Sequence, residues 1–206
     1  MIEFDVFAVV LAAGASSRMG TSKMALKWGE STVLETTLVH VSNAATSGVL
    51  LVTGGYRELV IGLPEVARTT TVHNENYEAG EMISSIKLAL RFLQQVNQPP
   101  GGVLILPGDM PMVTTQLIDK VILEWCRAPD KIVAPVLGKQ RGHPVIFPFE
   151  LFSKFEALST DASPRDLIKA HSHRLKLLPM DDPAIIIDVD TPAEYAKYRP
   201  GPTINS

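Results

Sequence analysis

The chain has 206 residues, of which 46% are hydrophobic and 20% charged, with a formal net charge of −3. A chain of this length can bury roughly 70% of its unfolded surface, enough for one core, and this charge gives no support for nucleic acid as the main partner. Cys126 is the only cysteine, so no intrachain disulfide can form, and the apolar run Val6 to Val10, preceded by Glu3 and Asp5, is too short to cross a membrane. These features predict a soluble, cytoplasmic protein with one domain over residues 1–200 and a frayed tail at 201–206.

Along the chain, strand and helix patterns alternate. Val6 to Val10 reads as a buried strand that delivers the chain to Leu11–Lys23, LAAGASSRMGTSK. Ser31 is placed to cap a helix with apolar positions Leu34, Leu38, Val41 and Ala45, stopped by Gly48. Val49 to Thr53 and Thr69 to His73 read as strands, with a short helical piece at Arg57 to Ile61 between them. Ile83, Ile86, Leu90 and Leu93 make one face of a helix from Glu81 to Val96, and Val103 to Leu106 is a continuous apolar run, as a strand covered on both faces requires. Thr114 caps the next helix, whose stripe is Leu117, Ile118, Val121, Ile122 and Trp125, with Cys126 expected as a buried thiol. Ile132 to Val136 and Val145 to Phe147 are strands, Phe149 to Leu158 a helix, and Ser163 to Ala170 a helix with Pro164 at its first position and Asp166 three residues past the cap. Arg174 to Met180 and Ala184 to Ile187 read as apolar strands, and Thr191-Pro192-Ala193-Glu194 opens a last helix. This succession predicts an α/β fold: a three-layer, mainly parallel, doubly wound sheet with its ligand site beyond the carboxyl ends of the strands.

Several stretches fall at that edge. In the first loop, Ala12, Ala13, Gly14, Ala15, Ser16 and Ser17 let backbone N–H groups turn toward an anion, while Arg18 and Lys23 supply fixed charge. Neither G-x-G-x-x-G nor the P-loop pattern fits, which argues against an ordinary dinucleotide fold and against a P-loop ATPase. Asp109, in Gly108-Asp109-Met110-Pro111 after a buried strand, is placed either to hold Mg²⁺ beside phosphate oxygens or to bond its own turn. In Asp188-Val189-Asp190-Thr191-Pro192 the two acids share a face of extended chain, so one of them can be a second metal ligand; alternatively Asp190 only favours the helix N-terminus. Arg141 and His143, in Arg141-Gly142-His143-Pro144, suit an anionic acceptor or an ordinary loop. Asn74, Gly80, Ser84 and Ser85 lie at a strand-to-helix junction that suits sugar or base contacts, or a capped helix start.

These motifs together resemble the molybdenum cofactor nucleotidyltransferase family, and most closely its cytidylyltransferase branch. The resemblance rests on LAAGASSRMGTSK, the segment Asn74 to Ser85, GDMP at Gly108 to Pro111, RGHPV at Arg141 to Val145, the segment Asp161 to Leu167, and DVDTP at Asp188 to Pro192. It implies a variant of the Rossmann-like fold of nucleotide-diphospho-sugar transferases. It also implies transfer of CMP from CTP to the terminal phosphate of molybdenum cofactor, with release of pyrophosphate and dependence on Mg²⁺. Leu11, Ala12, Ala13, Gly14, Ser16, Arg18, Lys23, Asn74, Gly80, Ser84 and Asp109 would then bind nucleotide. Arg18, Lys23 and Asp109 would be catalytic, Asp109 and Asp190 would hold the metal, and Arg141, His143 and Arg165 would face the acceptor. The Ala12-Ala13 step resembles the CTP-selective form rather than the two glycines of the GTP-using branch. The chain departs from the family pattern at Glu75, at an extra Glu81, and at Ser163-Pro164 in place of a Gly-Ala pair. Three alternatives stay open: a guanylyltransferase, a transferase for a sugar or polyol phosphate, and a non-catalytic cofactor-binding chaperone. A client molybdoenzyme would be a further partner.

Overall fold

The computed structural model describes residues 5–14, 23–55, 66, 68–77 and 81–201. The anticipated helical piece at Arg57 to Ile61, the loop residues Ala15, Ser16, Ser17 and Arg18, Gly80, and the tail after Gly201 lie outside the described residues.

An eight-stranded sheet forms the middle layer. Its strands are β1 (Val6–Ala12), β4 (Gly48–Thr53), β5 (Thr69–His73), β6 (Gly102–Pro107), β7 (Ile132–Leu137), β8 (Gln140–Arg141), β9 (Val145–Pro148) and β10 (Leu175–Pro179). The spatial order is β10-β7-β9-β6-β1-β4-β5, with β8 on β7. β1 pairs in parallel with β4 and β6, β4 with β5, and β7 with β10, whereas β9 runs antiparallel to both β6 and β7. The sheet is thus mainly parallel, as the alternating pattern predicts. A two-residue pair, β2 (Lys27–Trp28) with β3 (Ser31–Thr32), stands apart from it.

Helices cover both faces because the central strands are apolar throughout. Alternate side chains of β1 point oppositely: Val6, Ala8, Val10 and Ala12 join one core cluster, and Val9 and Leu11 the other. α1 (Val33–Ser42) and α3 (Thr115–Cys126) pack on the first face; α2 (Glu81–Gln94), α4 (Phe149–Phe152) and α5 (Pro164–Ala170) pack on the second. In the last helix, α6 (Pro192–Tyr198), the Tyr195 hydroxyl donates to the Lys27 carbonyl at 2.7 Å, tying the C-terminal segment to β2.

Three local expectations need correction. α1 begins one residue later than expected, with Thr32 rather than Ser31 accepting from the Glu35 N–H at 3.2 Å, because Ser31 is paired with Trp28. The run from Phe149 splits into the short α4 and a 3₁₀ stretch, Ser153–Ala157, which seats Phe152 and Phe155 edge-on in the core. The apolar run at Ala184 to Ile187 is not a strand but a 3₁₀ turn, Pro183–Ile186. Pro183 presets its first turn and the Asp182 carboxylate accepts the Ala184 N–H at 2.9 Å, so local capping overrides an apolar pattern that a strand would also satisfy. Cys126 is half-buried, and burial pushes its thiol above the usual range.

Candidate active site

Three strand ends build the first half of the site. β1 and β6 are neighbours in register, with Leu11 opposite Pro107, so the loop after β1 and the turn carrying Asp109 leave the sheet side by side. The Gly108 N–H donates to the Leu11 carbonyl at 2.9 Å and closes that turn. The loop after β4 backs the same edge: a Cβ on Gly54 would overlap the Ala13 carbonyl oxygen, so only glycine lets the two chains approach this closely. Leu11, Ala12 and Ala13 are buried, and Ala12 packs within the core, so their main chain and not their side chains borders the edge. Gly14 is exposed, and no atom of the described residues would lie within 4 Å of a Cβ there.

The C-terminal segment supplies further carboxylates. The Val189 N–H donates to the Asp109 carbonyl at 3.0 Å, which stitches Asp188-Val189-Asp190 to the β6 turn. Beyond it, the Glu194 carboxylate accepts from the N–H groups of Asp190 and Thr191 at 3.2 and 2.9 Å, the capping arrangement expected of Thr191-Pro192-Ala193-Glu194. Asp109, Asp188 and Asp190 therefore converge, one potential ligand oxygen from each lying within 4.8 Å of the others. Asp109 is buried and the two later acids half-buried. Burial, reinforced by the charges of Asp190 and Asp109, raises the Asp188 carboxyl above the ordinary carboxylate range.

Lys23 stands among them, donating from Nζ to Asp109 and to Asp190. Burial alone would pull its ammonium down, but the two carboxylates more than offset this and hold it above its usual range. Asp109 Oδ1 is buried with no hydrogen-bond partner among the described residues. Such an atom costs free energy unless something completes it. Three convergent carboxylates with an unsatisfied buried oxygen fit a hard divalent cation, which takes oxygen donors of this kind. Asp188, which the D-x-D alternation had offered only as an alternative to Asp190, is a full member of this cluster.

Arg141 and His143, from one loop, and Arg165, from α5, line one cavity of about 540 Å³ between β7, β9 and α5. Ile105, Ala134, Val145, Phe147 and Ile168 give it apolar walls beside the polar Gln140 and Ser163, while Arg141 and Arg165 are exposed. The sequence reading missed these wall residues because a core strand residue and a cavity wall carry the same apolar pattern. Burial, aided by the Arg165 charge, pushes the His143 imidazole below its ordinary value against the opposing pull of Asp109 and the Ile105 carbonyl. His143 is thus held neutral, and its Nδ1 is buried without a hydrogen-bond partner among the described residues. Its backbone N–H donates to the Ile185 carbonyl at 2.8 Å.

The Asn74 junction behaves differently. Asn74 Nδ2 donates to Ser84 and Ser85 hydroxyls at 2.8 and 3.0 Å, and its Oδ1 accepts from the Asn76 N–H at 3.1 Å. Its side chain is therefore occupied in joining β5 to α2. Asn74 and Ser84 line a separate cavity of about 450 Å³ with His73, Lys87 and Arg91.

Known proteins share this arrangement of chain. The chain is 29% identical over 195 residues to the molybdenum cofactor cytidylyltransferase of Escherichia coli, covering 93% of this chain and 95% of that protein. The crystal structure of Rv0371c from Mycobacterium tuberculosis superposes with a TM-score of 0.78 at 28% identity, covering 94% of this chain and 96% of that one. The structure of that mycobacterial protein in complex with manganese gives a TM-score of 0.74 at 25% identity, over 94% and 97% of the two chains. Residues 8–175 match the MobA-like NTP transferase domain. The chain belongs to the MobA-like NTP transferase family, and is a nucleotidyltransferase similar to molybdenum cofactor cytidylyltransferase.

Proposed function

We propose that this nucleotidyltransferase moves CMP from CTP to the terminal phosphate of molybdenum cofactor and releases pyrophosphate, with a divalent cation, Mg²⁺ or Mn²⁺, on Asp109, Asp190 and Asp188. The observation that carries this reading is the convergence of three carboxylates and Lys23 at the ends of β1 and β6. The name of the Escherichia coli relative supports the nucleotide and the acceptor, and the manganese complex of the mycobacterial relative supports the cation.

A bound divalent cation supplies Lewis-acid polarisation of the α-phosphate and neutralises its charge. The rest falls to the protein. Phosphoryl chemistry of this kind asks mainly for positioning and charge stabilisation, since the acceptor phosphate is already ionised and needs no general base. Lys23 and Arg18 stabilise the departing pyrophosphate, with the backbone of the loop around Gly14 and Ser16 cradling the triphosphate. Arg141 and Arg165 hold the anionic acceptor at the mouth of the second cavity, and its apolar walls exclude water from the acceptor's ring system. His143, kept neutral, offers a hydrogen bond there without adding charge.

Pyrophosphate release measured with CTP, GTP and ATP, each with and without molybdenum cofactor and Mg²⁺, tests the reading. Release that needs CTP, the cofactor and the cation together is expected. Preference for GTP would move the chain to the guanylyltransferase alternative, and no cofactor-dependent release with any nucleotide would overturn the proposal.

A further inference from the structure

Lys23 engages two of the three acids that would hold a cation, and it does so from a fixed base. Its Cα lies in a short 3₁₀ turn, Lys23–Ala25, whose Lys23 carbonyl accepts from the Leu26 N–H at 3.3 Å, while the Leu26 carbonyl accepts from the first residue of α1, Val33, at 3.0 Å. Only the side chain is free to travel. Its ammonium is largely buried between Asp109 and Asp190, with 17% of the side chain exposed. Three carboxylates this close carry a charge that one ammonium only partly compensates. A divalent cation compensates it better, but its ligand oxygens must lie at about 2.0–2.1 Å for Mg²⁺, and a second positive charge on the same oxygens opposes it.

We infer that Lys23 is an intrinsic counter-ion that closes the carboxylate cluster until a divalent cation displaces it, and that the displaced ammonium is taken up by the nucleotide phosphates. This rests on the divalent-cation site proposed above. The exchange makes cation and nucleotide cooperative. The cation alone must strip Lys23 from Asp109 and Asp190 with nothing to receive it; with triphosphate present the ammonium gains a new anionic partner. By linkage, each then tightens the other's binding by the same factor.

The test is equilibrium Mn²⁺ binding by electron paramagnetic resonance, on the full chain without nucleotide. Lys23→Met is expected to bind Mn²⁺ at least about fivefold more tightly than wild type, the lower end of ordinary coupling between ligands. Lys27→Met, which removes an exposed lysine nearby in sequence, should match wild type. In the wild-type chain, amine-selective labelling of Lys23, read by mass spectrometry, should rise on adding Mn²⁺. Equal or weaker Mn²⁺ affinity in a folded Lys23→Met protein overturns the exchange while leaving the cation site intact. If that variant does not fold, Lys23 labelling that stays constant while wild type binds Mn²⁺ overturns it instead. No Mn²⁺ binding by either protein overturns the cation site and the exchange together.

Discussion

The two halves of the site are built by opposite means. At the ends of β1 and β6 the working groups are charged, converge within 4.8 Å, and are joined through backbone, with the Val189 N–H on the Asp109 carbonyl. In the cavity between β9 and α5 much of the lining is apolar, the residues of fixed charge among the described ones lining it are arginines, and the histidine between wall and acid cluster is kept neutral. The contrast separates two tasks. The first half manages charge on a nucleotide, where position matters within a few tenths of an ångström; the second recognises a bulky anionic acceptor by shape, with charge at the rim.

That division can be broken most directly at Asp109. Its carboxylate is buried and contributes both to Lys23 and to the acid cluster, and asparagine has the same shape without the charge. Asp109→Asn should lower turnover by about 10²–10³-fold, the scale of losing one preorganised electrostatic stabiliser, with an unchanged melting temperature and circular dichroism spectrum. Turnover near that of wild type would remove Asp109 from the chemistry and leave the carboxylate half without its anchor.

Gly142 joins the halves. A Cβ there would overlap the Ile185 carbonyl, and the adjacent His143 N–H is bonded to that same oxygen, while the Gly142 N–H donates to Pro135 at 2.9 Å. The loop carrying Arg141 and His143 is thus pressed against the 3₁₀ turn that leads, two residues later, into Asp188. Gly142→Ala should force this turn outward at a cost of about 1–3 kcal/mol in stability, the usual range for overpacking a tight interior. Turnover should fall as well, although no substrate-binding side chain changes. Chemical denaturation together with kcat would check it; a variant with normal stability and normal kcat would show the halves to be independent.

How far this arrangement can be read from sequence depends on the range of the interactions involved. The Thr191 cap is legible because its partners lie within a few residues, and Asp109 because it follows an apolar strand in a short motif, although its turn is held by Leu11 and Val189 from far along the chain; most of the loop after β1 lies outside the described residues. Ala184 to Ile187 misleads, because a short apolar run satisfies both a strand and the 3₁₀ turn that Pro183 and Asp182 impose. The reversed direction of β9 leaves no mark in a four-residue apolar run. Least legible is Lys23, read as a phosphate-loop cation: its partners are 86 and 167 residues away, and nothing in its own neighbourhood names them. Asp188 and Asp190 share a face by simple alternation, but only the β6 turn makes them partners of Asp109.

The smallest effect expected is on stability against pH, and it concerns the neutral half. The folded state holds the His143 imidazole below the ordinary 6.5, mainly through burial, whereas the unfolded chain titrates near that ordinary value. As pH falls below about 6.5 the unfolded state takes up a proton that the folded state refuses, so this residue erodes stability on the acid side and contributes nothing above it. His40, half-buried in α1, is shifted the same way by burial, so the wild-type slope alone does not isolate His143. The difference between wild type and His143→Gln does. Melting temperatures from about pH 5 to 7 should fall more steeply with acid in wild type than in the variant. Parallel curves would mean that His143 accepts its proton without penalty, and the acceptor cavity would then carry a third positive charge beside Arg141 and Arg165 in mildly acidic solution.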